Sequence, residues 1–265
     1  MMTEQSEKLL VTLNDGIKRI TINRPERRNS VDHETIRMLR DAVQHSETDG
    51  TRVLILTGAG ESFCAGADLA ATSASDIANY DVTRAIRENV NPTVAAMRKL
   101  PVPIIARVHG HAVGVGHNYA LACDMIIASE QALFGQVFVR IGLMPDGGST
   151  FLLPRIVGYQ KAFELMAMGD IISAEESLRL GLVNRVVPFA DLDATVDAVA
   201  ARLASAPQMA LAKIKAALNH SAQSDLASSL EFEAVNQDAC FHSADFMEGV
   251  AAFMQKRKAV FGGKA

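Results

Sequence analysis

The sequence predicts an α/β core followed by an all-helical C-terminal region. Three observations predict it. Short apolar runs alternate with amphipathic segments as far as about residue 190. From Leu192 onward only helical spacings remain. The 265 residues are 49% hydrophobic and 21% charged, which suits one large globular domain with at most an appendage. The expected division is 1–190 for the core and 191–265 for the helical region.

Each element has a local reason. Apolar runs at 9–13 and 17–22 flank Asn14-Asp15-Gly16, a hairpin signal. Asp32 can cap a helix from His33 to about Thr48, with Ile36, Leu39 and Val43 on one face. Residues 52–57 read as a buried strand, and a glycine-rich loop follows at 64–68. Residues 82–99 read as a helix that must stop before Pro101. A strand is expected at 103–108, then Gly110, Gly114 and Gly116 lead into a helix through Ala122. Strands at 124–128 and 132–134 come next. Residues 147–158 read as loop and helix with Pro154 near the helix start. Helices follow at 159–168 and 173–180, the latter ended by Gly181, and then a strand at 182–187. Pro207 opens one of the tail helices. The tail's apolar positions, among them Leu226, Leu230, Phe241, Phe246 and Phe253, suit packing on a neighbouring subunit or on the chain's own core.

Charge and cysteine usage exclude several functions. The formal net charge is −4, and the densest basic runs, at 24–28 and 256–258, are short. A nucleic-acid partner is therefore not expected. Three cysteines with no C-x-x-C spacing read as a reduced, cytoplasmic protein without a disulfide frame. Residues 1–8 are polar, and no apolar stretch approaches a bilayer span, so no secretory signal and no membrane partner are expected. His109, His111 and His117 match no zinc spacing, so no metal is expected. Cys64 reads as a small buried hydrophobe rather than a reactive thiol.

Several segments in order carry a resemblance. They are Ile22-Asn23-Arg24-Pro25 with Asn29, Cys64-Ala65-Gly66-Ala67-Asp68-Leu69, and the run from Val108 to Gly116. Leu121-Ala122-Cys123-Asp124, Phe134-Gly135-Gln136, the run from Ile141 to Gly148, and the run from Glu248 to Arg257 complete the set. Together they resemble the crotonase (enoyl-CoA hydratase/isomerase) superfamily over nearly the whole chain. The resemblance implies a spiral of ββα turns followed by trimerising helices, and a homotrimer or hexamer. It implies an acyl-CoA substrate, with coenzyme A as part of the substrate and no permanently bound cofactor. It also implies an oxyanion hole formed by the backbone N–H groups of Ala67 and Val115. Where Val115 stands, relatives commonly carry glycine, so its side chain should narrow the site. Ala65, Asp68 and Gly114 belong to the same two loops, with Asp68 read as a helix cap. By the same resemblance Arg27 and Arg28 could meet CoA phosphates, and Phe253 and Lys256 could reach a CoA on a neighbouring subunit.

The chain departs from the hydratase pattern. The two glutamates of hydratases correspond to Asn118 and Phe138, neither of which exchanges protons near neutral pH. Asp146 remains, in a frame that looks closest to the ring-1,2-epoxyphenylacetyl-CoA isomerase group. A double-bond shift needs one base, and Phe138 and Met144 would make its surroundings apolar. Read without the family, Asp146 suits a helix N-cap before Gly147-Gly148. The leading expectation is an isomerase with Asp146 as base. The alternatives are a hydratase with atypical acid/base groups and a catalytically silent acyl-CoA-binding homologue. Carboxylates restored at 118 and 138 are expected to create hydration on an intact backbone frame.

Overall fold

The computed structural model describes residues 8–68 and 80–262, so Leu69 of the glycine-loop motif lies outside the described residues. Strands β1 (Leu9–Asn14) and β2 (Ile17–Ile22) form the expected hairpin. Asp15 and Gly16 both have positive φ, the backbone that a two-residue primed turn requires. Helix α1 (His33–His45) starts where Asp32 accepts the Thr35 N–H, and its buried face carries Ile36, Leu39 and Val43. Strands β3 (Val53–Gly58) and β4 (Ile104–Val108) are buried throughout, as parallel strands covered on both faces must be.

The single helix expected at 82–99 is instead α2 (Val82–Ala85), a π turn (Ile86–Val90) and α3 (Asn91–Lys99). Pro92 sits in the first turn of α3, where a missing N–H is easily accommodated. Then come β5 (His111–Val113), α4 (Val115–Ala122), β6 (Met125–Ser129) and β7 (Leu133–Gly135). A 3₁₀ turn (Val137–Ile141) precedes α5 (Ser149–Val157) and α6 (Tyr159–Met168). Pro154 lies inside α5 rather than near its start. Strand β8 (Ile171–Ser173), α7 (Ala174–Arg179) and β9 (Arg185–Val187) complete the core. The tail is α8 (Leu192–Ala204), α9 (Gln208–Ser221), α10 (Leu226–Phe241) and α11 (Ala244–Met254).

Six strands form one sheet in the order β1-β2-β3-β4-β6-β9, parallel from β2 onward. A second sheet has the order β5-β7-β8. Successive turns of chain lay one strand in each sheet: β4 leads to β5, and β6 leads to β7. The main core lies inside this spiral, against α1, α3 and α4. On the other face of the large sheet, Val53, Ile55, Ile105 and Ile127 pack against Leu192, Val196 and Ala200 of α8. The first helix beyond residue 190 thus packs as part of the core. Beyond α8, the helices from Gln208 onward leave apolar side chains exposed, and α10 buries none of its residues.

Candidate active site

Two loops converge because several straps hold the first of them. Phe63 and Cys64 donate their N–H groups to His109 O and His111 O (2.8 and 2.9 Å), and Ala65 donates to Arg28 O (3.0 Å). Val31 donates to Gly66 O (2.9 Å) and accepts from Asp68 N–H (3.0 Å). Those two bonds use the groups flanking Ala67, so the Ala67 N–H faces the opposite way and takes no partner among the described residues. The second loop ends at Gly114, whose φ of 57° and ψ of −129° suit glycine alone, and whose N–H donates to Gly135 O (2.9 Å). Val115 is the first residue of α4, so its N–H has no intrahelical acceptor and sits at the positive end of the helix.

The loops touch backbone to backbone. A Cβ on Gly66 would lie 3.2 Å from Val113 O, and one on Gly114 would lie 3.8 Å from Gly66 Cα. At Gly116 a Cβ would lie 2.2 Å from Cys64 O, leaving no space for any side chain. Gly116→Ala is therefore expected to cost about 3 kcal/mol or more, read as a lower urea midpoint. An unchanged midpoint would show that α4 and the 64–66 loop are not in contact.

Asp146 stands beside α4, where Asn118 reaches its main chain. Its carboxyl caps nothing: α5 starts after Gly148 with no side-chain cap, and Asp146 Oδ1 is buried without a partner among the described residues. The N-cap reading of Asp146 is thus corrected. Burial raises its pKa above the ordinary 3.8, and its own backbone N–H opposes this in part. Its main-chain carbonyl, by contrast, accepts from Asn118 Nδ2 (2.9 Å), Ser149 Oγ (2.9 Å) and Ser149 N–H (3.1 Å). Met144 does not supply the apolar surroundings expected of it, because it is 72% exposed. The neighbours of this turn are Asn118 and Val90, which would meet a Cβ on Gly147 at 3.1 and 3.4 Å. Tyr119 is fully buried, and that burial raises its phenol pKa, with Cys64 and then Asp146 adding to the rise. Phe138 is half-buried in the 3₁₀ turn, its ring tip 4.0 Å from a Cβ placed on Gly114. The ring tip thus lies near the end of the second loop.

Other residues fall differently. Asp68 is no free binding group: its carboxylate pairs with Arg24 at 2.7 Å, and Arg24 also bonds Ser30 O and approaches Asp32 at 3.5 Å. The residues a cap there would serve lie outside the described residues. Val115 does not narrow an opening; its side chain is buried in the main core. Arg27 and Arg28 are exposed on the turn before α1, and Phe253 and Lys256 are exposed at the end of the tail. Cys64 is fully buried, its thiol pushed up to about 12 by desolvation. Burial also lowers His117 to about 4, so it stays neutral. His109 bridges Arg107 and Gly60 O at 2.8 and 2.9 Å, steadying the approach to the first loop.

The bonds that hold the site join residues far apart in the chain. Asn29 clamps the 59–62 segment through Ala59 O (2.7 Å) and Ser62 O (2.6 Å). Arg24 anchors Asp68, and Gln136 Nε2 donates to Asn118 Oδ1 (2.9 Å). Arg24, Asn29 and Gln136 stand in the quoted motifs, but spacing alone does not reveal their partners.

Comparison with known proteins agrees with this geometry. A family model described as enoyl-CoA hydratase/isomerase matches residues 12–264. A 1,2-epoxyphenylacetyl-CoA isomerase of Escherichia coli is 38% identical over 97% of this chain and 99% of its own length. A crotonyl-CoA hydratase of Syntrophomonas wolfei is also 38% identical, over 98% of this chain and 97% of its own. The crystal structure of an enoyl-CoA hydratase from Bacillus anthracis superposes with a TM-score of 0.90 at 33% identity, covering 97% of this chain and all of that one.

Proposed function

The chain belongs to the enoyl-CoA hydratase/isomerase family, and from that premise we propose that it is a CoA-thioester double-bond isomerase with Asp146 as its one base. The observation that carries this reading is the Asp146 carboxyl, desolvated, uncapped and with one oxygen unpartnered among the described residues. Asn118 and Phe138 at the glutamate positions support it, since neither can activate water.

The chemistry balances with one base. On a 3-enoyl thioester, the Asp146 carboxylate takes an α-proton and the electron pair moves onto the thioester oxygen. The Ala67 and Val115 N–H groups stabilise that oxyanion. The dienolate then collapses, the carboxylic acid returns the proton to the γ-carbon, and the double bond lies between the α- and β-carbons. No water is added or lost. Coenzyme A enters as part of the substrate. Arg27 and Arg28 serve its phosphates, and Phe253 and Lys256 serve a CoA on a neighbouring subunit. Ala65 and Gly114 shape the acyl entrance.

The tail supports self-association into a trimer or hexamer. Leu226, Val235, Met247, Phe253 and Met254 are more than half exposed, and α9, α10 and α11 enclose an apolar groove of about 1000 Å³. Light scattering is expected to give a trimer or hexamer, and a stable monomer at micromolar concentration would contradict this.

The function itself is tested with 2-enoyl- and 3-enoyl-CoA panels followed by mass spectrometry. Isomerisation without a mass change is expected. Hydration as the main reaction would replace the proposal with the hydratase reading. CoA binding without turnover would mark a silent homologue.

A further inference from the structure

A buried polar chain stands behind Asp146 that the proton transfer does not use. Gln136 Nε2 donates to Asn118 Oδ1 at 2.9 Å, and Asn118 Nδ2 donates to Asp146 O at 2.9 Å. Gln136 Nε2 also lies 3.2 Å from Nδ1 of the neutral His117. Asn118 is fully buried and Gln136 is 1% exposed. The carbonyl end fixes the direction of the whole chain. Asp146 O can only accept, so Asn118 presents nitrogen there and oxygen to Gln136. Ser149 grips the same carbonyl from the start of α5. The peptide of Asp146 is therefore held from two elements, while Oδ1 of its carboxyl takes no partner among the described residues.

We propose that Asn118 is a positioning residue: its amide, aligned by Gln136, holds the Asp146 peptide so that the carboxyl stays turned into the site, and a carboxylate at position 118 is incompatible with that hold. This rests on the reading of Asp146 as the base. A glutamate at 118 would offer an acceptor to an acceptor and place a second negative charge in the same buried space. Asn118 is thus more than the gap left by a missing glutamate.

The test compares Asn118→Ala, Asn118→Glu and Asp146→Asn in isomerisation of a 3-enoyl-CoA across the acid limb of the pH profile. For Asn118→Ala, kcat is expected to fall about 10-fold or more with KM within about twofold. The acid limb is expected to move to lower pH as the freed carboxyl gains water. Asn118→Glu is expected to fall as far as Asp146→Asn. A purely structural role predicts a lower Tm for Asn118→Ala with kcat and acid limb unchanged, and that result overturns the proposal. If Asn118→Ala does not fold, Ser149→Ala removes another donor to the same carbonyl. A smaller shift of the limb in the same direction is then expected, and an unmoved limb overturns the proposal. Carbon-13 NMR of aspartate-labelled free enzyme reads the same titration without substrate, with Asp146→Asn assigning the signal. An unchanged Asp146 titration in the Asn118 or Ser149 variant overturns the positioning role whatever the reaction is. Full turnover in Asp146→Asn removes the base, and the positioning role falls with it. An inactive Asp146→Asn beside unaffected Asn118→Ala and Ser149→Ala removes the positioning role alone.

Discussion

Asp146→Asn is expected to lower isomerisation turnover by about 10²-fold or more while CoA affinity stays close to that of the parent protein. The substitution keeps the shape and the three bonds to the main-chain carbonyl, because those involve no carboxyl atom. It removes only the group that can take a proton. Stability should move the other way. Burial raises the Asp146 pKa in the folded state, so the folded chain binds the proton more tightly than the unfolded chain does. The ionised carboxyl therefore costs stability above its folded pKa, and that cost vanishes as pH falls below the ordinary carboxylate range. At neutral pH Asp146→Asn should match or exceed the parent Tm. A variant that is both inactive and clearly less stable would point to a structural carboxyl instead. Asp146→Ala, which on the cap reading would cost about 1 kcal/mol, carries no such penalty because α5 is not capped by this side chain.

Hydration of crotonyl-CoA is expected to be lower than in a two-glutamate relative by a factor on the order of 10⁴ or more, since each missing general acid or base contributes about 10²–10⁴-fold. A continuous absorbance assay of the conjugated thioester checks this, and efficient hydration would sink the one-base reading. The structure also alters the expectation for restored carboxylates. Asn118 is itself part of the backbone frame, through its bond to Asp146 O. Asn118→Glu with Phe138→Glu is therefore expected to lose isomerisation before it gains hydration, and side-by-side assays of both reactions read the outcome.

Local chemistry explains what the sequence made legible. The hairpin follows from Asp15 and Gly16, which tolerate positive φ, and α1 follows from the Asp32 cap. The glycines of the two loops marked a close approach of backbones, and the distances at Gly66, Gly114 and Gly116 show it. What stayed hidden depends on partners far apart in the chain. Gln136 meets Asn118, and Arg24 meets Asp68, through bonds that leave no periodicity in the sequence. The π turn before Pro92 and the three-residue strands β5 and β8 are too short for a pattern to declare. Met144 reads as pocket wall because it is apolar, but its own side chain is exposed. Asp146 was ambiguous between cap and base because both roles want a carboxylate before a glycine turn. The placement of α5 after Gly148 removes the cap.

The most direct measurement incubates the purified protein with a 3-enoyl-CoA thioester and follows the product by mass spectrometry and ultraviolet absorbance, with Asp146→Asn in parallel. A conjugated 2-enoyl product of unchanged mass is expected from the parent protein and almost none from the variant. A product heavier by one water, or equal rates from both proteins, would contradict the one-base reading.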